Sequence, residues 1–277
     1  MSINQYELKA LQLKAKRQVY TLLSGNNLSK LYGEGYEFAE LREYQMGDDI
    51  RKINWTITAK LGKPYIKELH ANRELSIVVS ALLDGGLYFG EGNAKQKKLT
   101  EVATILAYAS QYNNELFTGL IYQKNSTYTT PPTKQIYHIE AFSKKLHEAS
   151  ILGTLLNQTR AVEDIFSHVN KPSLLFIVGD FLEEIDLSLL AQKHEVIAII
   201  IRDRAEENPQ NLGETTLSSS KSNLKLDTYF GQKSINRYLT KLKEQDEKLH
   251  QHFLSHNIRS VKIFTDEDVI SRLIRLF

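Results

Sequence analysis

The chain has no cysteine, which excludes disulfides, thiol catalysis, iron–sulfur clusters and zinc fingers, and suits a reducing compartment. Charge of one sign is missing too. Thirty-five Lys and Arg (35) stand against 33 Asp and Glu, a formal net charge of +2, without the clustered basic excess that a nucleic-acid surface carries. Long apolar runs are also absent: the longest, Val196–Ile201, falls far short of the roughly 20 residues that a membrane helix needs. Near the start, Lys9, Lys14, Lys16 and Arg17 break up any apolar segment of a secretory leader. A cytoplasmic protein with no membrane insertion and no nucleic-acid partner is the expectation. What the chain does have is ordinary for a globular protein: 277 residues, 42% apolar and 25% charged, enough for one large domain or a domain with an appendage.

Leu8, Leu11, Ala15, Val19 and Leu22 recur at spacings of three or four before Gly25-Asn26, which predicts a helix over residues 5–24. Residues 1–31 are therefore an N-terminal helical segment. Residues 32–73 are Gly-punctuated and rich in opposite charges; Tyr36–Phe38 and Tyr65–Lys67 predict short strands of a small antiparallel element. From residue 74 to 277 the period changes. Apolar runs at Leu75–Leu83, Leu116–Tyr122, Leu174–Val178, Val196–Ile201 and Val261–Phe264 alternate with helical patterns at Ala94–Tyr112, Ala141–Glu148, Ala161–Val169, Leu187–Gln192 and Ser234–His256, with a last helix at Asp266–Arg275. Buried strands alternating with helices predict an α/β fold, a mostly parallel, doubly wound sheet. Asn208–Asn223, with its Pro, Gly and Ser cluster, reads as a long loop.

In such a sheet ligands meet the loops beyond the carboxyl ends of the strands, and Asp84 and Asp180 stand there. Gly85, Gly86, Gly90 and Gly92 follow the first strand. Gly86-x-x-x-Gly90-x-Gly92 has the spacing of a short-chain dehydrogenase loop, but neither Tyr-x-x-x-Lys nor Gly-Lys-Ser/Thr accompanies it; glycines serving a strand-to-helix turn are the expectation. His250, His252 and His256 lie near the end of one helix without an acidic base between them, which fits surface histidines better than a metal site. No Gly-x-Ser-x-Gly elbow is present.

Two stretches carry a family pattern. The first runs Arg42, Tyr44, Gly47, Asp48, Asp49, Arg51, Trp55, with Gly35-Tyr-Glu37-Phe38 ahead of it. The second is Asn72-Arg73-Glu74 leading to Asp84-Gly-Gly-Leu-Tyr-Phe89-Gly90, and later Phe176–Phe181, His194–Val196 and Arg202-Asp203 follow in order. From about Tyr32 onward the chain resembles the bacterial domain-of-unknown-function family fifty-eight, whose members contain a von Willebrand factor A-like domain. The resemblance implies that fold for residues 74–277, with a site at the strand ends. Related domains bind Mg²⁺ through Asp-x-Ser-x-Ser, a threonine and a later aspartate. Here Asp84 and Asp180 match the acids and Thr154 or Thr159 the threonine, but Gly86 and Tyr88 stand at the serine positions. Since Mg²⁺ demands six oxygen ligands, a degenerate site that is empty or binds Mg²⁺ weakly is expected, with no other cofactor.

The family's implied role is non-enzymatic: an adaptor or cochaperone-like module working with a MoxR-type AAA+ ATPase in the assembly or activation of other proteins. Tyr88 and Phe89 are the expected partner contacts. Asp48 or Asp49 is expected to pair with Arg42 or Arg51, with Trp55 largely buried, fixing this segment to the sheet domain. The competing reading is a metal-assisted hydrolase that uses Asp48, Asp49, Asp84 and Asp180.

Overall fold

The computed structural model describes residues 3–24, 40–50, 53–68, 75–222 and 224–276. First come helix α1 (Ile3–Ser24) and an antiparallel pair, β1 (Glu40–Glu43) with β2 (Tyr65–Glu68), separated in sequence by the short helix α2 (Trp55–Leu61). Tyr65–Lys67 thus forms a strand as expected, while Tyr36–Phe38 lies outside the described residues. The main sheet and its helices follow: β3 (Ser76–Leu82), α3 (Ala94–Tyr112), β4 (Leu116–Gln123), β5 (Ser126–Thr129), α4 (Ile136–His147), α5 (Gln158–His168), β6 (Leu174–Gly179), α6 (Ser188–Ala191), β7 (Glu195–Arg202), α7 (Arg204–Glu207), β8 (Gly213–Ser218), β9 (Lys225–Phe230), α8 (Gln232–Ser255), β10 (Arg259–Phe264) and α9 (Val269–Leu273).

The sheet has the strand order β10-β7-β6-β3-β4-β5. Every neighbouring pair is parallel except β4 with β5, a hairpin that adds an antiparallel edge strand. The chain enters at β3, winds outward to β5, then returns to β6 and winds the other way. That reversal opens a topological switch point between the carboxyl ends of β3 and β6, where doubly wound sheets bind their ligands.

Each central strand is apolar on both sides because helices cover both faces. On β3, Ile77, Val79 and Ala81, with Leu83 just beyond it, belong to the core under α3 and α4, whereas Val78 and Leu82 belong to the core under α5 and α8. Helix α3 is buried nearly all round, from Lys95 to Ser110, since α1 packs over it as a further layer through Ala15 and Val19. Its buried residues are not all apolar: Lys95, Gln96, Lys98 and Glu101 are enclosed too, and a buried polar group needs a partner.

The doubly wound α/β class and its small antiparallel element are both present. Asn208–Asn223, expected to be a loop, is corrected: it contains β8, which pairs antiparallel with β9 as a separate two-stranded sheet. Among the described residues no helix is long and apolar enough to cross a membrane.

Candidate functional site

Beyond β3 the backbone closes at once into a short 3₁₀ turn, Gly85–Leu87, capped by Asp84, whose Oδ1 accepts from Gly86 N at 2.7 Å. Beyond β6, Asp180 Oδ1 accepts from Leu182 N at 3.2 Å. The two acids face one another across the switch point and are nearly inaccessible, Asp84 at 2% and Asp180 at 5% exposure. Burial, and then the charge of Asp180, push the Asp84 carboxyl above its ordinary range. Two desolvated carboxylates in one crevice need cations.

The chain supplies them. Lys95, in the first turn of α3, is fully buried. Its ammonium donates to Glu206 Oε1 at 2.8 Å and to the Gly86 carbonyl at 2.9 Å, and reaches Asp180 Oδ2 at 3.4 Å. Glu206 is itself fixed, because it completes a capping box with Asp203 at the start of α7. From the other side comes Lys221, on the turn joining β8 to β9. Its Nζ lies 2.7 Å from Glu183 Oε1 and 3.3 Å from Asp84 Oδ2. Burial works against the Lys221 ammonium, yet the charges of Asp84, Glu183 and Asp180 outweigh it and raise its pKa above the ordinary lysine value.

These residues do not fit a Mg²⁺ site. A Cβ on Gly86 would sit 2.1 Å from Asp180 Oδ2 and 3.0 Å from Asp84 Oδ1, so the place of the first serine is taken by the acids themselves. The Thr154 hydroxyl donates to the Ile151 carbonyl at 2.6 Å, while its own carbonyl accepts from Gly85 N at 2.8 Å; it closes the loop around the crevice. Thr159 is exposed on the first turn of α5. Among the described residues no group of three or more His, Cys, Asp or Glu side chains is arranged to hold a metal ion.

Gly85 serves a close approach: a Cβ there would lie 2.0 Å from the Ser220 carbonyl oxygen, which accepts from Gly153 N at 2.8 Å. Gly90 and Gly92 adopt positive φ, +81° and +61°, on the way into α3, the turn role expected of them. Tyr88 and Phe89 stand half exposed at the same rim, at 42% and 38%, and the Lys95 ammonium lies 6.0 Å from the Phe89 ring centroid. Of the histidines, His252 accepts from Leu187 N at 3.0 Å, a tie between α8 and the α6 segment.

In the Arg42–Trp55 segment, Asn54 caps α2 by accepting from Ile57 N at 3.2 Å, and Asp48 Oδ2 accepts from Gln45 N at 2.8 Å across a turn in which Gly47 has φ +114°. The Arg42 and Arg51 side chains, the expected partners of Asp48 or Asp49, lie outside the described residues. Trp55 is not buried, a correction: it is 68% exposed, because it opens a helix that has no buried residue.

A family model described as "Protein of unknown function DUF58" matches residues 40–248. The uncharacterized proteins Mb1516 of Mycobacterium bovis and Rv1480 of Mycobacterium tuberculosis are each 25% identical over 232 residues, 78% of this chain and 70% of theirs. Among solved structures, the conserved hypothetical protein BatB of Bacteroides thetaiotaomicron aligns with TM-score 0.44 and 8% identity over 73% of this chain and 96% of its own. An aerotolerance-related membrane protein of Bacteroides fragilis aligns with TM-score 0.40 and 7% identity over the same shares.

Proposed function

Because the chain belongs to the DUF58 family, we propose that it is a non-enzymatic adaptor, a protein-interaction module that works with a MoxR-type AAA+ ATPase in the assembly or activation of other proteins. The observation that carries this reading is how the switch-point acids are spent. Asp84, Asp180, Glu183 and Glu206 are engaged by Lys95 and Lys221, which leaves neither a free general base nor an open ligand set there. What faces outward at the rim is Tyr88, an amphipathic side chain of the type that favours interfaces. A partner is then held by shape and hydrogen bonding, without a shared metal ion.

The test is a titration of the labelled protein against a MoxR-type ATPase loaded with nucleotide and its own Mg²⁺. Binding is expected to survive prior EDTA treatment of this protein and to weaken about tenfold or more in Tyr88→Ala, the scale of an interface hot spot. Absence of binding to the ATPase overturns the proposal. So does a micromolar Mg²⁺ affinity of this protein that Asp84→Ala removes.

A further inference from the structure

We propose that the crevice between the ends of β3 and β6 is a receptor for a primary ammonium, and that Lys221 is its built-in ligand, so that the β8–β9 hairpin is a latch closed by charge. The latch stands apart from the adaptor reading and does not depend on the partner's identity.

The crevice is lined by Asp84, Gln158, Asp180 and Glu183 together with the apolar Phe181 and Ile185. Its polar atoms are in acceptor excess. Asp84 Oδ2 faces the Lys221 ammonium at 3.3 Å, Glu183 Oε1 takes the same ammonium at 2.7 Å, and Gln158 Oε1 is buried without a hydrogen-bond partner. An ammonium offers three donors and no acceptor, the complement of such a lining. A divalent ion would need further hard oxygen ligands in a near-octahedral array, and the glycine and engaged threonine described above do not provide them. Lys221 is the group that answers, and its side chain keeps 19% exposure, so it stands at the mouth and has a way out.

The rest of the hairpin is built to move with that side chain. Along β9 it is largely exposed: Leu226 and Tyr229 are 63% and 64% accessible. At the tip the ties concentrate: the Lys221 contacts, the Ser220 carbonyl on Gly153 N, and the seat that Gly85 leaves by lacking a Cβ. At the base, Gly231 joins β9 to α8. An opened latch leaves an acidic crevice that fits a lysine presented by another protein, the reverse of the carboxylate that completes a metal-bearing site.

The experiment is chemical rescue in the full chain. Lys221→Ala is expected to raise hydrogen exchange across residues 213–230 by about tenfold or more while the central strands stay protected. n-Propylammonium chloride, at constant ionic strength, should restore that protection and raise the Tm of Lys221→Ala but not of the wild type, whereas tetramethylammonium, which has no N–H, should do neither. Unchanged exchange in the hairpin, or an equal response to the two cations, overturns the proposal. A stronger response to Mg²⁺ than to propylammonium also overturns it, by making the crevice a divalent site. If Lys221→Ala does not fold, Glu183→Gln serves instead: a smaller rise in hairpin exchange is expected, and no rise refutes the latch.

Discussion

Among single residues, His194 carries a pH signature that can be isolated. It follows α6, is buried, and neither ring nitrogen finds a hydrogen-bond partner. Burial, helped by the charge of Lys193, lowers its pKa from 6.5 to about 4. The folded state therefore binds this proton less readily than the unfolded chain does. The contribution to stability is complete above the unfolded value and is lost as pH falls from about 6.5 toward 4, amounting to about 2 kcal/mol between pH 7 and pH 5. Urea denaturation of the wild type and His194→Phe at both pH values checks this: the variant should lose less stability by about that amount. Equal losses would remove His194 as the cause. The functional acids were legible at this scale because Asp84 and Asp180 each end an apolar run. The cations that neutralise them were not. Lys95 is one of three lysines between residues 95 and 98, and Lys221 stands in a Ser-rich stretch that reads as solvated. The three lysines do not differ in any way the sequence marks: Lys97 in the same turn is exposed, whereas a lysine that is buried needs an acid.

Among elements, the first turn of α3 ties three strand ends together. Lys95 links the loop after β3, through the Gly86 carbonyl, to Asp180 after β6 and Glu206 after β7. Lys95→Met leaves two buried carboxylates without their cation, and a cost of about 3–5 kcal/mol is expected. Glu206→Gln breaks part of the same network. A double-mutant cycle by chemical denaturation should then show the pair costing less than the sum of the singles, with a coupling of about 1–3 kcal/mol; strict additivity would mean that the contacts carry no energy. The continuous apolar runs and helical periods placed the central elements within a few residues because burial on both faces writes itself into composition. The edge strand β5 and the β8–β9 hairpin escaped notice for the converse reason. Ser126–Thr129 is mostly exposed, and the hairpin strands bury no residue fully, so neither had to be apolar. Trp55 misled in the opposite direction, since an aromatic in a motif need not be in a core.

Across the whole molecule, stability is layered, and the outermost layer can be tested alone. The sheet is sealed on one side by α3 and α4, and these are covered in turn by α1. Helix α1 is fixed by Ala15, at 0% exposure, and by polar ties at its edges: Lys14 to Glu101 at 2.6 Å, Gln18 to Asp268 at 3.1 Å and Gln12 to the Glu140 carbonyl at 3.3 Å. Helices α3 and α4 meet the strands directly and carry the larger apolar contact. A carboxylate at position 15 enters a fully enclosed site in the apolar core cluster, and burying it costs about 3 kcal/mol or more. Undocking α1 avoids that cost while the parallel strands keep their partners. Ala15→Asp should therefore raise hydrogen exchange through α1 and along the outer face of α3, and leave β3, β6 and β7 protected. Uniform loss of protection across the sheet would show instead that α1 and the α/β core unfold as one cooperative unit, because local opening of a layer requires it to be less stable than the core it covers.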